Sequence, residues 1–197
     1  MLTVYRFLFF LLTLSAFASY GQTTPDSVFI TFQTNMGDIE AVLYTKKAPI
    51  TSANFLKHIE TGAFTGGSFY RTVTPTNQPH NKIRIEVIQG GANPANIDTA
   101  TVIPIPLERT SKTGVLHKNG TLSMARDAPD TGSTEFFICI GDQPSLDFGG
   151  KRNPDGQGFA AFGRVTKGME VVKKIQSSPA SEQKLTPSIQ IIRISRK

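Results

Sequence analysis

Ser68-Phe69-Tyr70-Arg71 is a short aromatic run that ends in a cation, and Val87-Ile88-Gln89-Gly90-Gly91 is an apolar run that ends in Gln-Gly-Gly. Aromatic and β-branched residues in runs this short read as strands. A guanidinium in such a strand must meet water, a partner or a ligand, because an unpaired buried charge is costly. Further along, Glu135-Phe136-Phe137-Ile138-Cys139-Ile140 is unbroken apolar sequence after its first residue. A strand of that kind has both faces covered.

The rest of the chain supplies partners for these strands. Val28–Thr34 and Asp38–Tyr44 read as strands joined by Asn35-Met36-Gly37 as a tight hairpin turn. Pro49 and Thr51 open a helix with Phe55, Leu56 and Ile59 on one side, and Gly62 ends it. Pro75–Asn81 is rich in turn formers, and a strand is expected to resume from Ile83 to Gln89. Gly91–Thr101 reads as loop, and Ile103–Leu107 as an extended, proline-punctuated edge or crossing segment. His117–Gly120 turns into a strand over Thr121–Ala125. Gly149–Gly158 is a long surface loop, followed by a strand over Phe159–Val165. Met169–Ile175 is a short amphipathic helix, and Ile189–Ile194 is the last strand. Many strands and two separated helices favour a closed antiparallel barrel, since closure removes exposed sheet edges. The pattern alone leaves barrel and sandwich open.

Bulk properties narrow the setting. Arg6 precedes the apolar run Phe7–Leu14, and Ala16-Phe17-Ala18 supplies small residues at A-x-A spacing. Charge, short apolar core and small-residue site make a secretory signal. The run is shorter than the roughly 20 apolar residues a bilayer span needs, which disfavours an anchor. No cysteine follows it, so a lipid-anchored form is not expected either. Residues 1–21 therefore read as a signal peptide cleaved after Ala18 or Gly21, and residues 22–197 as one domain bound for the periplasm or secretion. Cys139 is the only cysteine, so no intramolecular disulfide forms, and a packed thiol is expected. The formal net charge of +6 is dispersed along the chain rather than gathered in a patch, which argues against a nucleic-acid partner. His58, His80 and His117 lack zinc-ligand spacing, and Asn153–Gly158 lacks the alternating acids of a calcium loop.

Phe69-Tyr70-Arg71, Gln89-Gly90-Gly91, Gly120–Ala125, Ser133–Ile138, Leu146-Asp147 and Phe162-Gly163-Arg164-Val165 leading into Gly168–Val172 together resemble, in order, the cyclophilin-type peptidyl-prolyl cis-trans isomerases. The resemblance implies an eight-stranded antiparallel barrel capped by two helices. It implies Arg71 as the main catalytic residue, and Gln89, Val87, Phe137, Ala125, Arg126, Glu135, Leu146 and Phe159 around the substrate. It implies no metal or cofactor, and unfolded or partly folded proline-containing chains as partners of a monomer. Several positions depart from the usual pattern. Glu86 and Val87 stand where phenylalanine and methionine are common, and Glu135 stands for glutamine. Arg126 stands for asparagine, Ser145 for an aromatic residue and Phe159 for histidine. The segment between Arg71 and Gln89 is also longer than usual by roughly ten residues, a length that surface loops tolerate.

The chemistry implied is rotation about a partly double C–N bond, with a barrier of roughly 18–20 kcal/mol. No bond breaks, so no acid–base pair is required. The twisted amide regains a lone pair on the proline nitrogen, and a fixed donor aimed there favours it over either ground state. Arg71 suits that role, because it stays charged and carries its donors in a rigid fork. Phe137, Leu146, Val87 and Phe159 can form the proline socket. Gln89 can bond a peptide carbonyl or place Arg71, and the backbone at Ala125 and Arg126 can hold the segment before the proline as an added strand. Glu135 can pair with Arg71 and restrain it, or with Arg126. A second reading is a module that holds proline segments with little or no turnover.

Overall fold

The computed structural model describes residues 25–98 and 102–197. The signal peptide expected at 1–21 lies outside them. In chain order the elements are β1 (Val28–Thr34), β2 (Gly37–Leu43), α1 (Pro49–Glu60), β3 (Gly67–Val73), β4 (Val87–Gly91), α2 (Thr110–Thr113), β5 (Thr121–Met124), β6 (Glu135–Cys139), β7 (Ala160–Lys167), α3 (Met169–Gln176), β8 (Ala180–Ser181) and β9 (Lys184–Arg196). The strands run β1-β2-β7-β5-β6-β4-β3-β9, and β9 returns to pair with β1. The sheet is therefore an eight-stranded barrel, antiparallel throughout, with the two-residue β8 attached to β9. The expected closed barrel is what forms.

The interior is built on phenylalanine. Phe32, Phe55, Phe64, Phe69, Phe136 and Phe162 are fully buried in one core. Phe136 is central, with ring centroids 5.5 Å from Phe32, 5.3 Å from Phe55 and 5.7 Å from both Phe64 and Phe69. The contacts to Phe55 and Phe64 are edge-on, the favoured geometry for aromatic quadrupoles. Helix α1 closes one end of the barrel and supplies Phe55. Ala48, before its first turn, has no side chain able to cap it. Glu108 caps from far along the chain instead: its carboxylate accepts from the N–H of Ile50 (3.1 Å) and of Thr51 (2.7 Å) and from the Thr51 hydroxyl. Charge and geometry both suit the orphan donors of a helix start.

Three expectations need correcting. Ile83–Glu86 does not belong to the strand. The side chain of Gln78 takes both backbone groups of Ile85, donating to its carbonyl (2.7 Å) and accepting from its N–H (3.3 Å), so these residues are tied to the loop rather than the ladder. Pairing begins at Val87, opposite Val73 and Cys139, and runs on through Gly91. The last strand starts at Lys184, well before Ile189, because β8 and β9 form a hairpin around Glu182-Gln183. A third helix, the single turn α2, precedes Gly114, which ends it with φ at +68°.

Candidate active site

Three strands lay the site across the outer face of the barrel. In register, Arg71 on β3 faces Gln89 on β4, and Gln89 faces Phe137 on β6. Alternation places Ile88, Gly90, Phe136 and Ile138 inward, and Val87, Gln89, Phe137 and Cys139 outward. Arg71 reaches that outer face through a bulge. Strict period two would put it on the same side as Phe69, which is wholly in the core. The register shifts between Phe69 and Arg71 on both neighbouring strands. The extra residue re-aims the guanidinium, the usual consequence of a bulge.

All nine residues expected at the site line one cavity of about 370 Å³. Its apolar wall is Phe137, Val87, Leu146 and Phe159, part of a second hydrophobic cluster outside the barrel. Phe159 stands perpendicular to Phe137 with centroids 5.3 Å apart. Behind Phe137 lies the His117 ring, stacked at 6.0 Å and bonded to Asp147 (2.7 Å) and Ser123 (2.9 Å). His117 is thus a buried histidine with both ring nitrogens satisfied. Cys139, packed in the same cluster, is fully buried, and burial pushes its thiol pKa well up.

The polar wall is a chain of hydrogen bonds. Arg71 donates through Nη1 to Gln89 Oε1 (2.8 Å), and through Nε (2.9 Å) and Nη2 (2.7 Å) to Gln183 Oε1. Gln89 Nε2 donates to the Tyr70 hydroxyl at 2.6 Å, and that hydroxyl donates to Glu135 Oε2. Arg71 only donates and the Glu135 carboxylate only accepts, while Gln89 and Tyr70 between them each receive from one side and give to the other. Burial first, and the Glu135 carboxylate second, push the Tyr70 pKa up, so the hydroxyl keeps its proton to donate. Burial also pushes the Glu135 carboxyl up, against the opposing pull of the Tyr70 hydroxyl and the Gln89 amide. Burial pulls Arg71 down from its ordinary value, yet a guanidinium remains a cation at any working pH.

Glu135 therefore bonds neither of its two expected partners. Tyr70, the residue at the bulge, donates to its carboxylate instead. A β-carbon at Gly91 would fall on the Glu135 carboxylate, so the glycine makes room for this acid. Arg126 is engaged elsewhere. It grips Asp155 through two bonds (2.8 and 3.0 Å), donates to the Gly158 carbonyl (2.8 Å) and lies over the Phe159 ring at 5.1 Å. Its side chain clamps the 149–158 loop, and so fixes Phe159 in the socket wall. Sequence reasoning missed Gln183, Tyr70 and Arg152. Gln183 is presented by the β8–β9 turn, and its amide is held by the Asn77 carbonyl at 3.0 Å. No periodicity marks such a residue.

The family model for cyclophilin-type peptidyl-prolyl cis-trans isomerases matches residues 29–196. The chain is 34% identical over 157 residues to a peptidyl-prolyl cis-trans isomerase of Acinetobacter baylyi, covering 79% of this chain and 75% of that one. It is 36% identical over 148 residues to peptidyl-prolyl cis-trans isomerase B of Escherichia coli, covering 75% of this chain and 83% of that one. A crystal structure of a Cryptosporidium parvum cyclophilin-type isomerase shares the fold with a TM-score of 0.69 at 21% identity, covering 87% of this chain and 98% of that one. A further structure of that protein was obtained in the presence of the dipeptide Ala-Pro, with a TM-score of 0.68 at 22% identity, covering 86% of this chain and 98% of that one.

Proposed function

The chain belongs to the cyclophilin-type peptidyl-prolyl cis-trans isomerase family, and on that premise we propose that it accelerates X-Pro rotation in exported, incompletely folded proteins, with Arg71 stabilising the twisted amide. The observation that carries this reading is the state of the Arg71 guanidinium. Three of its N–H groups are tied to Gln89 and Gln183. A guanidinium has five, which leaves one on Nη1 and one on Nη2. Arg71 lines one cavity with the Phe137 socket. A donor already fixed in place needs no reorganisation as the lone pair develops, and the apolar wall strengthens the interaction.

No proton changes owner in this scheme. The ring of the substrate proline occupies the space bounded by Phe137, Leu146, Val87 and Phe159. The segment before it pairs with the backbone at Ala125 and Arg126. Rotation then carries the amide nitrogen toward the free Arg71 donors. The measurement that tests the scheme is exchange of an X-Pro peptide by NMR with residues 22–197 and with the Arg71→Ala variant. A loss of about 100-fold or more is expected, the scale of removing one preorganised donor. Equal rates in the two proteins would end the catalytic assignment. Peptide binding without turnover in the unaltered protein would instead support the holding module, which the tethering of Arg71 by two glutamines also suits. Export is tested by fusing residues 1–21 to a reporter active only outside the cytoplasm; a silent fusion would refute it.

A further inference from the structure

Two loops frame one end of the cleft, and Arg152 joins them. From the 149–158 loop its Nη1 reaches the 75–86 segment, donating to Gln78 Oε1 (2.9 Å) and to the Ile83 carbonyl (2.6 Å). Its own N–H bonds the Ser145 carbonyl at 3.1 Å, next to the socket residue Leu146. Arg152 lines the same cavity as Arg71. Among the described residues, its Nε and Nη2 bond nothing and no carboxylate pairs with it. Three acids of the surrounding segments have partners of their own: Asp155 in Arg126 (2.8 Å), Asp147 in His117 (2.7 Å) and Glu86 in Gln176 (3.2 Å). Asp127 and Glu135 line the same cavity without pairing with Arg152. Lys82, Arg84 and Lys151 are exposed on the same two loops and add to the positive field.

The register says which part of a substrate passes this point. Along β4 and β6, Gly91 faces Glu135, Gln89 faces Phe137 and Val87 faces Cys139, with Ile85 beyond. The Ala125 N–H bonds the Glu135 carbonyl at 2.9 Å, so Ala125 stands at the Glu135 end. Arg152, bonded to Ile83 and Gln78, stands at the Ile85 end. A peptide held at Ala125–Arg126 by the residues before its proline, with the ring on Phe137, leaves toward Arg152. The distance from Val87 to Ile85 is that of about two extended residues, roughly 6.6 Å. The two ends also differ in charge. Glu135 and Asp127 line the cavity on the side where the peptide enters, and Arg152 lines it where the peptide leaves.

We infer that Arg152, with Arg71 beside it, selects X-Pro segments that carry Asp or Glu one or two residues after the proline. The inference rests on the isomerase reading of the site. Burial, and then the charge of Arg71, hold the Arg152 guanidinium below its ordinary range. An incoming carboxylate relieves that strain and finds the idle Nε and Nη2 edge of a planar fork. A lysine at the same substrate position meets like charge.

The test uses two peptides that differ only in Glu or Lys directly after the proline. Turnover is read by NMR exchange and affinity by titration, at low and high salt. For the unaltered protein the Glu peptide should lead by about fivefold in kcat/KM, the scale of one partly screened charge pair, and the lead should shrink as salt rises. Arg152→Gln should bring the ratio to about one, and Arg152→Lys should keep part of it. The ratio is unaffected by partial unfolding, which lowers both peptides together. A ratio near one in the unaltered protein, or one that survives Arg152→Gln, overturns the inference. Absence of turnover on both peptides would refute the isomerase reading alone, because the ratio of dissociation constants still judges Arg152.

Discussion

Phe136 and Phe137 are adjacent on β6 and belong to different parts of the molecule. Phe136 points into the barrel, where it is fully buried among Phe32, Phe55, Phe64 and Phe69. Phe137 points outward, where Phe159 meets it edge-on and the cavity opens in front of it. The inner face is closed by apolar packing, aromatic at its centre and aliphatic around it, whereas the outer face is held by hydrogen bonds from loops. Arg126 fixes Phe159, His117 backs Phe137, and Gln183 and Gln89 aim Arg71. The inner face thus carries stability and the outer face carries geometry. Substitutions on the two sides should separate the two quantities.

The largest expected effect is on the inner side. Phe136→Ala should remove about 3–5 kcal/mol of stability, the usual cost of a large buried cavity. Denaturant unfolding checks it, and a loss under about 1 kcal/mol would show that the core collapses around the gap. Arg71→Ala on the outer side should invert the pattern. Its turnover loss of about 100-fold or more should come with only a small shift in the unfolding midpoint, since the three charge-assisted bonds to Gln89 and Gln183 that it forfeits are offset by no longer holding a partly buried charge. A large midpoint shift would mean that the site also staples the fold. Gln183→Ala sharpens the contrast further. It frees the Nε–Nη2 edge of the guanidinium while leaving Gln89 in place, so kcat should fall by about tenfold, the cost of a loosened donor, with KM little changed. An unchanged kcat would show that Gln89 alone positions Arg71.

The two faces were not equally legible in the sequence. The short apolar runs Glu135–Ile140 and Val87–Gly91 read as strands because strand propensity is a local property of the chain, although an unbroken apolar run does not say which of its faces is the inner one. The hairpin of β1 and β2 and the helix α1 announce themselves through turn and terminal residues, and α3 through its apolar periodicity, for the same reason. The outer face depends on events that leave no period. The bulge at Tyr70 decides where Arg71 points, yet Phe69-Tyr70-Arg71 reads as plain alternation. Gln78 withdraws Ile85 from the strand by binding its backbone from the loop. Gln183 comes from the far end of the chain through a two-residue turn. The resemblance to a known family supplied Arg71, Gln89 and Phe137. It could not supply the role of Arg152, which binds the lengthened segment between Arg71 and Gln89, or the Tyr70–Glu135 bond, which needs Glu135 where glutamine is usual.

The smallest predicted effect probes that departure. Glu135 is a carboxylate at the edge of the outer face, and burial pushes its pKa up in spite of the Tyr70 hydroxyl and the Gln89 amide that oppose it. The folded protein therefore binds this proton more tightly than the unfolded chain does. Stability from this group is fully present below the ordinary glutamate value and is lost as pH rises through the raised one. At neutral pH the charge is a net burden, discounted because the residue is only partly buried. Glutamine keeps an oxygen to accept from Tyr70 and carries no charge. Glu135→Gln should thus be the more stable protein at pH 8 by less than about 1 kcal/mol, with the advantage fading as pH falls through the raised carboxyl value. Turnover should change little, because Arg71 is aimed by Gln89 and Gln183 rather than by the acid. Denaturant midpoints of both proteins across pH 4–8 decide the matter. A variant that is less stable at pH 8 would mean that the Tyr70–Glu135 bond outweighs the burial of the charge, and the outer face would then share in holding the fold.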